Sequence, residues 1–504
     1  MEKSPYAQTI CLKSYDDFVP PIMDIEVYSL AEMLRRTVKE YPDHLCYDFL
    51  GTTATFSDFE MHVNAFANFL VDQGLTKGDR VAIHLPNSPQ YMIALFGTFY
   101  AGCVATGMSF LLKPTEIIYQ LKDSGAKVLV TLDAFYEETV REALNTRKTD
   151  IEMVVTTNIT DTVKLNPILK FLGRLLKKIP HGKVKPIEGI RYDDFKEILE
   201  VYPNLTSPEV EIDPRKDLAF LQYTGGTTGP PKGAMLTHEN EIANLQQTLK
   251  WIEIDAVKGK EIFISGFPFF HLAGMFFNLG AIMYAANQVL LPDPRDTKYA
   301  IKKIKEYKPT VMANVPTLYL YFLNELEFKK MDLSHFRGFV SGAAPFSPKA
   351  IVEFEEVVGK KKVIELYGMT EASPIVTSNP YLGERKIGTV GLPISNTEMK
   401  IVDVENRNRE VPLGEPGEVA IKGPQIFQGY WNKPEETKKA LKDGWFFTGD
   451  VGIMDEDGYL KIVDRTKDMI IVSGYKVFSV EVDKKMDKHP AIEMCSTVGI
   501  PDPD

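Results

Sequence analysis

The sequence has 504 residues, too many for one hydrophobic core, so we expect roughly two to four domains or subdomains. Its 69 acidic residues outnumber its 58 basic residues, and the net charge of -11 argues against a protein that binds nucleic acid by neutralising phosphates. The 4 cysteines are far apart in the chain, which excludes a CxxC metal pair and a dense disulfide framework and favours a reducing, cytoplasmic location.

The sequence shows neither an export signal nor a clear membrane span. Residues 1–21 mix charged side chains with apolar ones and contain no continuous apolar core, which argues against a secretory signal. The most apolar stretch, residues 271–291, is interrupted by Asn278, Asn287 and Gln288. We therefore expect a buried helix followed by a strand in this stretch.

Helical and strand patterns alternate through most of the chain. Predicted helices lie at residues 29–40, 56–73, 90–100 and 115–124, and predicted strands at residues 80–85, 103–106 and 127–131. A second alternating series begins at Leu218 and reaches Leu366. This alternation is typical of parallel sheets, so the predicted fold class is α/β, with two stacked α/β subdomains at about residues 1–210 and 211–382.

The pattern changes after about residue 383. Short strands are predicted at residues 399–402, 417–422, 451–454 and 459–463, with turn residues between them. This spacing predicts a small β-rich, barrel-like subdomain over residues 383–464 that completes a large N-terminal domain over residues 1–464.

Residues 165–179 form a basic amphipathic pattern. Ile168, Leu172, Leu175, Leu176 and Ile179 fall on one face of the predicted helix, and the basic side chains lie largely elsewhere. Such a helix can lie on a membrane surface as a peripheral contact. It can also pack on its own domain as an ordinary surface helix, and this is the arrangement that we expect.

Residues 223–233, with the sequence YTGGTTGPPKG, have the composition of a phosphate-binding loop. Glycines let backbone N–H groups approach an anion, threonines add hydroxyl donors, and Lys232 adds positive charge. The loop is not a Walker A motif, because Pro231 precedes Lys232 and Gly233 follows it. It therefore predicts phosphate binding that serves a different chemistry.

Two further motifs have side chains suited to a nucleotide. Residues 367–371, YGMTE, follow an apolar strand and place an aromatic ring, a hydroxyl and a carboxylate where α/β proteins bind ligands. Residues 444–450, GWFFTGD, end in a carboxylate suited to ribose hydroxyls, and the polar cluster DRTKD follows at residues 464–468. Each motif alone is more often a helix cap or a turn.

Taken together and in this order, the motifs resemble the adenylate-forming superfamily of acyl-CoA synthetases, firefly luciferases and nonribosomal-peptide adenylation domains. The resemblance extends from Leu30 to the last residue and includes the motifs PFFH at 268–271 and SGAAP at 341–345. Residues 15–21, residues 48–51 and the basic insertion near Leu165 are most similar to long-chain fatty-acid CoA ligases.

This resemblance implies an enzyme, an AMP-forming acid–thiol ligase that uses ATP, Mg²⁺ and coenzyme A. A fatty acid would be activated to an acyl-adenylate and then transferred to coenzyme A. A medium-chain or aryl carboxylate remains an alternative substrate, and a homodimer remains open. Family members continue beyond the signature at residues 498–502 and carry there a lysine used in adenylation. Residues 465–504 would thus be a hinge and the first part of a small, mobile α+β domain, and a nucleotide-binding chain unable to complete adenylation is a further alternative.

The resemblance also implies the residues that hold the nucleotide. The β- and γ-phosphates would be held by Thr224, Gly225, Gly226, Thr227, Thr228, Gly229 and Lys232. Relatives commonly have Ser or Thr in place of Gly225, so one side-chain donor is missing. Thr370 would bind the α-phosphate, and Thr224 and Glu371 would hold Mg²⁺. Adenine would be flanked by Gly342, Ala343, Ala344, Tyr367 and Gly368, and ribose would be held by Asp450 and Arg465.

The remaining implied roles concern the acyl group, coenzyme A and domain rotation. The wall of the acyl site would consist of Phe270, His271, Met275, Phe276, Asn314 and Val315. Gly474 would leave room for the pantetheine arm of coenzyme A, and Lys467 would be the hinge between the two half-reactions. Because each buried methylene contributes about 0.8 kcal/mol, the depth of the acyl site would select chain length.

Overall fold

The computed structural model describes residues 4–6, 9–176, 178–202, 205–225, 229–472, 475–486, 489, 491–492 and 495–500. The described chain forms two large sheets that are parallel in their centres, and a smaller antiparallel sheet. The predicted α/β class, with a smaller β-rich part towards the end of the chain, is confirmed.

The first sheet has eight described strands. Its order is Gly429–Tyr430, Lys232–Thr237, Leu218–Thr224, Val104–Gly107, Arg80–His84, Val128–Leu132, Met153–Thr157 and Arg191–Asp194. The pairs from Leu218–Thr224 to Arg191–Asp194 are parallel, and the two pairs at the other edge are antiparallel. The strand that follows the phosphate loop therefore lies near one edge of this sheet.

The second sheet has nine described strands. Its order is Leu392–Pro393, Ile375–Ser378, Val363–Gly368, Gly338–Ser341, Val311–Asn314, Ile262–Ser265, Asn287–Leu290, Leu45–Phe49 and Thr52–Thr55. The strands between Val363–Gly368 and Leu45–Phe49 are parallel, so their carboxyl ends share one edge. The SGAAP and YGMTE motifs both lie at that edge.

The third sheet is antiparallel. It contains Glu398–Val402, Gly417–Lys422, Trp445–Met454 and Leu441–Lys442, and Leu460–Arg465 pairs with Trp445–Met454. A separate hairpin joins Ile470–Val472 to Tyr475–Val477.

The α-helices of the described chain surround these sheets. They are Thr9–Leu12, Leu30–Glu40, Phe56–Asp72, Pro89–Tyr100, Pro114–Ser124, Asp133–Phe135, Arg141–Asn145, Pro167–Leu175, Phe195–Val201, His238–Lys250, Leu272–Met283, Thr297–Tyr307, Pro316–Leu323, Leu326–Lys329, Pro348–Val358, Pro434–Ala440 and Ser479–Met486. Tyr136–Val140 is a π-helix, and Glu253–Asp255 and Thr370–Ala372 are 3₁₀-helices. The helices and strands predicted up to residue 131 agree with these bounds to within two residues.

The helix Pro89–Tyr100 shows how local sequence and burial combine. Ser88 accepts a hydrogen bond from the backbone N–H of Tyr91, and Pro89 occupies the first turn, where no N–H is needed. Every residue of the helix is buried. A helix that is apolar on all sides belongs in the interior, and this one contacts both Phe56–Asp72 and the first sheet.

Each of the two large sheets contains strands from both halves of the sequence. Leu45–Phe49 and Thr52–Thr55 belong to the second sheet, and Leu218–Thr224 and Lys232–Thr237 belong to the first. The predicted boundary at residues 210 and 211 therefore does not separate the sheets. Periodicity predicts whether a segment is a strand, but the pairing partner depends on contacts far away in the sequence.

The apolar stretch at residues 271–291 forms the helix Leu272–Met283 and the strand Asn287–Leu290, as predicted. In the described part of the chain, no helix is long and apolar enough to cross a membrane.

The basic amphipathic segment differs from the prediction. The helix runs from Pro167 to Leu175, and several of its described apolar side chains are exposed. Ile168, Phe171 and Leu175 are each about two-thirds exposed, at 68%, 67% and 67%. The expectation of a packed surface helix is thus wrong for Ile168 and Leu175, because an apolar stripe in a sequence does not indicate what covers it.

Candidate active site

A cavity of about 460 Å³ lies where the carboxyl edge of the second sheet meets the phosphate loop and the third sheet. Most of the residues predicted to bind the nucleotide line it. These lining residues are Thr224, Gly225, Lys232, Gly342, Ala343, Gly368, Thr370, Glu371, Asp450 and Arg465, and the cavity is also lined by His271, predicted for the acyl site, and by Lys467, predicted as the hinge. Motifs that are distant in sequence therefore converge on one cavity, at the edge where α/β folds bind ligands.

Four predicted residues, Gly226, Thr227, Thr228 and Gly474, lie outside the described part of the chain. Gly229 and Ala344 are described but are not among the residues that line the cavity.

The phosphate loop is anchored on both sides. Before it, the hydroxyl of Tyr223 donates a 2.7 Å hydrogen bond to Asp123. After it, the carbonyl of Pro231 accepts a hydrogen bond from the hydroxyl of Tyr119 at 2.8 Å. Tyr119 and Asp123 both belong to the helix Pro114–Ser124, which thus fixes the two ends of the loop against the first sheet.

The backbone is tightly packed at Gly368, one of the residues that line the cavity. Gly368 ends the strand Val363–Gly368, and a Cβ atom at this position would lie 2.0 Å from the carbonyl oxygen of Pro374. Ala343 has a φ angle of 63°, in the left-handed region that favours glycine. Small residues in the two motifs therefore allow this backbone to fold closely around the cavity.

Lys232 and Glu371 are joined through Tyr430. The Lys232 Nζ lies 4.9 Å from the centre of the Tyr430 ring, and the Tyr430 hydroxyl donates a 2.7 Å hydrogen bond to Glu371 Oε1. Lys232 also forms an ion pair with Glu436, with 2.7 Å between Nζ and Oε2. Neither Tyr430 nor Glu436 lies in one of the motifs that predict the site from the sequence.

The pKa of Glu371 lies above its ordinary value. Burial disfavours the carboxylate more strongly than the hydrogen bond from Tyr430 and the charge of Lys232 favour it. A cation beside this carboxylate would offset the burial that disfavours its charged form. Among the described residues, no group of three or more His, Cys, Asp and Glu side chains is placed to hold a metal ion.

The donor set at Glu371 nevertheless fits Mg²⁺. This ion prefers oxygen ligands and commonly binds through one or two carboxylates together with substrate phosphates and water. Glu371 supplies one carboxylate to the cavity and Thr224 supplies a hydroxyl. A site of this kind is completed by the phosphates of the substrate and needs no cluster of protein ligands.

Asp450 is held by two predicted neighbours. It is the cross-strand partner of Arg465, with 3.3 Å between Arg465 Nε and Asp450 Oδ1. The hydroxyl of Tyr367 donates a 2.8 Å hydrogen bond to Asp450 Oδ2. Burial raises the pKa of Asp450, while Tyr367, Arg465 and Lys467 act in the opposite direction. Tyr367 is not among the residues that line the cavity, so in this structure it orients Asp450.

Of the six residues predicted for the acyl site, only His271 lines this cavity. Met275 and Phe276 are buried in the main core, at 1% and 4% exposure. The backbone carbonyl of Phe270 accepts a hydrogen bond from Gln222, the Asn314 side chain accepts one from the Gly266 N–H, and Val315 precedes the helix Pro316–Leu323.

A different set of apolar residues lines the cavity beside His271. It comprises Phe267, Ala273, Phe277 and Val340. The rings of Phe267 and Phe277 are stacked, with 5.5 Å between their centres and 2° between their planes. Helical spacing could have identified Phe277, because Ala273 and Phe277 are four residues apart in Leu272–Met283 and share a face.

Comparisons with known proteins agree with this geometry. The family described as "AMP-binding enzyme" matches residues 34–431. A long-chain-fatty-acid–CoA ligase of Escherichia coli O6:H1 is 36% identical over 501 residues, covering 98% of this chain and 87% of that protein. A long-chain-fatty-acid–CoA ligase of Bacillus subtilis is 36% identical over 496 residues, covering 97% and 86%. The crystal structure of a long-chain-fatty-acid–CoA ligase from Archaeoglobus fulgidus superimposes with a TM-score of 0.76 at 25% identity, covering 97% and 91%.

Proposed function

This chain belongs to the AMP-binding enzyme family, and on that premise we propose that it is a ligase that activates a long-chain fatty acid with ATP and transfers it to coenzyme A. The observation that carries the proposal is the single cavity in which Lys232, Glu371 and Asp450 converge beside the apolar pair Phe267 and Phe277. In this proposal Lys232 would bind phosphate, Glu371 would bind the metal ion and Asp450 would bind ribose, beside an apolar wall that would hold the acid.

The first half-reaction would form the acyl-adenylate. A carboxylate oxygen of the acid attacks the α-phosphorus of ATP, the bond to the β-phosphate oxygen breaks, and pyrophosphate leaves. Both reactants are anions, so the site must reduce their repulsion and hold them in line. Lys232 would supply positive charge at the leaving pyrophosphate, and Thr370 would donate a hydrogen bond to the α-phosphate. Mg²⁺, when bound by Glu371 and Thr224, would neutralise further phosphate charge.

The second half-reaction would form the thioester. The sulfur of coenzyme A attacks the acyl carbon, the acyl–phosphate bond breaks, and AMP leaves while the thiol proton passes to solvent. Asp450, oriented by Tyr367 and Arg465, would keep the ribose in place through both steps. Lys467 also lines the cavity, and its role as the hinge between the steps stays a prediction.

The apolar residues favour a hydrocarbon substrate. Phe267, Ala273, Phe277 and Val340 offer no charged partner to a second polar group on the acid. Burial of each methylene against such a wall contributes about 0.8 kcal/mol, so long chains gain binding energy that short chains lack.

A panel of acids tests this proposal. Fatty acids of increasing length and aryl acids are incubated with ATP and Mg²⁺, with and without coenzyme A, while pyrophosphate and thioester are measured. We expect pyrophosphate release to be greatest with long-chain acids, and thioester to form only when coenzyme A is present. Product from aryl or short-chain acids alone would contradict the substrate assignment.

We further propose a peripheral membrane contact through the helix Pro167–Leu175. Its exposed apolar side chains include Ile168, Phe171 and Leu175, and the same segment carries Lys170, which pairs with Asp161 at 3.3 Å, as well as Arg174 and, just after the helix, Lys178. Apolar side chains that enter the lipid boundary and basic side chains that meet anionic headgroups are the two components of interfacial binding. The ligand of the proposed enzyme is itself a membrane-soluble acid.

Co-sedimentation with vesicles tests this contact. We expect binding to vesicles that contain anionic lipid, weaker binding to purely zwitterionic vesicles, and loss of binding in Phe171→Glu. Leu111→Glu is the matched control, since Leu111 is 75% exposed at a position outside this helix. Equal loss in both variants, or no binding by the unmodified protein at low salt, would contradict the proposal.

A further inference from the structure

We propose that Glu436 is a positioning residue that pairs with Lys232 in the ligand-free protein and competes with the phosphate groups of ATP and pyrophosphate for it. The proposal rests on the proposed function in one respect, that Lys232 is the cation that meets these phosphates. It assigns to Glu436 a role in nucleotide affinity and in the release of pyrophosphate.

The geometry of Lys232 carries this inference. Lys232 directly follows the phosphate loop, begins the strand Lys232–Thr237 and lines the cavity. Its Nζ nevertheless lies 2.7 Å from Glu436 Oε2, and Glu436 is not among the residues that line the cavity. The cation is therefore already paired with a carboxylate beside the cavity, and a phosphate that binds it must share it with that carboxylate or displace it.

Glu436 has a second cationic partner that makes an exchange feasible. Its other oxygen, Oε1, accepts a 2.9 Å hydrogen bond from Lys439. When Lys232 turns to a phosphate, Glu436 keeps the pair with Lys439, so no isolated carboxylate remains beside the incoming anion. The two lysines together lower the pKa of Glu436 to about 2, so Glu436 stays ionised throughout the neutral range.

The helix that bears Glu436 is fixed by other contacts. Pro434–Ala440 follows the strand Gly429–Tyr430, which pairs with Lys232–Thr237 in the first sheet. The hydroxyl of Thr437 accepts a 2.8 Å hydrogen bond from the Tyr430 N–H and donates a 3.0 Å bond to the Lys433 carbonyl. Replacement of Glu436 should therefore leave the helix in place and change only the competition for Lys232.

The expected change in phosphate affinity depends on how exposed the ion pair between Lys232 and Glu436 is. The side chains of Lys232 and Glu436 are 30% and 36% exposed, so water and salt weaken their attraction. Such pairs are worth little, and their loss corresponds to a change of about twofold to fivefold in a binding constant. Glu436 is thus a competitor that a phosphate displaces readily and that returns when pyrophosphate leaves.

Direct binding measurements on the full chain test the proposal. Dissociation constants for ATP with Mg²⁺, for inorganic pyrophosphate and for adenosine are measured by calorimetry in the unmodified protein and in Glu436→Gln. We expect the variant to bind ATP and pyrophosphate about twofold to fivefold more tightly. Adenosine affinity should stay unchanged, because adenosine has no phosphate for Lys232 to meet.

Three further variants distinguish the local ion pair from the effect of long-range charge. Glu435→Gln removes the same charge from the neighbouring, exposed position and should leave all three constants unchanged. Lys439→Met removes the second partner of Glu436 and should weaken ATP and pyrophosphate binding, whereas Lys438→Met, at the adjacent exposed position, should weaken it less.

The outcomes are distinguishable. Unchanged ATP and pyrophosphate constants in Glu436→Gln, equal tightening in Glu435→Gln, or equal tightening for adenosine would each overturn the competition. Glu436→Ala, with its melting temperature measured, shows whether an effect on binding depends on the glutamine side chain and not on loss of the carboxylate. Thioester formation is assayed separately. A protein that binds ATP but activates no acid would contradict the proposed function. The binding constants would still test the role of Glu436 in that case.

Discussion

The hydroxyl of Tyr430 lies 2.7 Å from Oε1 of Glu371 and donates to it, which joins an edge strand of the first sheet to the YGMTE motif of the second. The same ring lies 4.9 Å from the Lys232 Nζ. The phosphate-binding cation and the metal-binding carboxylate of the proposed mechanism thus share one aromatic neighbour.

Replacing Tyr430 by Phe should move the acid limit of activity to higher pH. Burial already raises the pKa of Glu371, and the hydrogen bond from Tyr430 is the largest influence that lowers it. Without this bond the pKa rises further, so the carboxylate becomes protonated at a higher pH as the medium is acidified. The measurement is the pH dependence of kcat/KM for ATP.

Tyr459→Phe is the control for that experiment, because the Tyr459 hydroxyl donates to the backbone carbonyl of Glu384 and not to a carboxylate. Its pH profile should match that of the unmodified protein. An acid limit in Tyr430→Phe that stays in place or moves to lower pH would show that Glu371 does not govern it.

Glu371→Gln should lower pyrophosphate release by on the order of a hundredfold or more, because the carboxylate that would hold Mg²⁺ is lost. The fold should remain, since glutamine has the same shape and can still accept the hydrogen bond from Tyr430. The melting temperature should be equal or higher, because a buried carboxylate with a raised pKa is replaced by a neutral group. Unchanged pyrophosphate release would remove Glu371 from the metal-binding role.

Gly368→Ala should destabilise the protein by about 1–3 kcal/mol, the usual cost of forcing an extra carbon into a packed interior. The new Cβ would lie 2.0 Å from the Pro374 carbonyl oxygen, and backbone cannot move aside as a flexible side chain can. Gly225→Ala is the matched control, because no atom of the described residues lies within 4 Å of a Cβ at that position. The free energy of unfolding of both variants is measured by denaturant titration, and equal losses of stability would contradict the packing argument.

The sequence allowed prediction of those parts of the site that depend on local signals. Loop composition at residues 223–233 and the strand that precedes YGMTE both place their residues at a sheet edge, and the structure brings them to one cavity. The contact between Tyr430 and Glu371 could not be predicted in the same way. It depends on Gly429–Tyr430, a strand of two residues that joins the first sheet and leaves no periodic pattern.

For the same reason, the sequence does not predict which of the two large sheets a strand joins. Leu45–Phe49 pairs with Asn287–Leu290, which lies nearly half of the described chain away in sequence. Likewise the carboxylate of Asp16 accepts hydrogen bonds from the N–H groups of Tyr381, Leu382 and Gly383. Pairing and anchoring of this kind depend on tertiary contacts that a single sequence does not display.

Asp450→Ala should abolish most of the discrimination between ATP and ATP analogues that lack a ribose hydroxyl. A hydrogen bond to a charged group is worth about 1.5–3 kcal/mol, which corresponds to roughly a tenfold to hundredfold loss of ATP affinity. Deoxy-ATP analogues should lose much less affinity in the variant than in the unmodified protein, as measured by calorimetry.

Tyr367→Phe provides a graded control for Asp450, because it removes the 2.8 Å hydrogen bond but leaves the carboxylate. It should weaken ATP binding less than Asp450→Ala does. Equal discrimination between ATP and its deoxy analogues in all three proteins would contradict the role of Asp450 at the ribose.

Phe277→Ala should shift acid preference to longer chains, whereas Phe276→Ala should not. Phe277 lines the cavity and stacks on Phe267, so its removal deepens the apolar end of the site. Phe276 is 4% exposed in the main core, and its removal should cost about 3–5 kcal/mol of stability without changing chain-length preference. The measurement is kcat/KM for a series of fatty acids, together with the free energy of unfolding. Because each methylene contributes about 0.8 kcal/mol, one further buried methylene should raise kcat/KM by about fourfold in the Phe277 variant. A shift in the Phe276 variant alone would instead place the acyl chain where the family resemblance implied it.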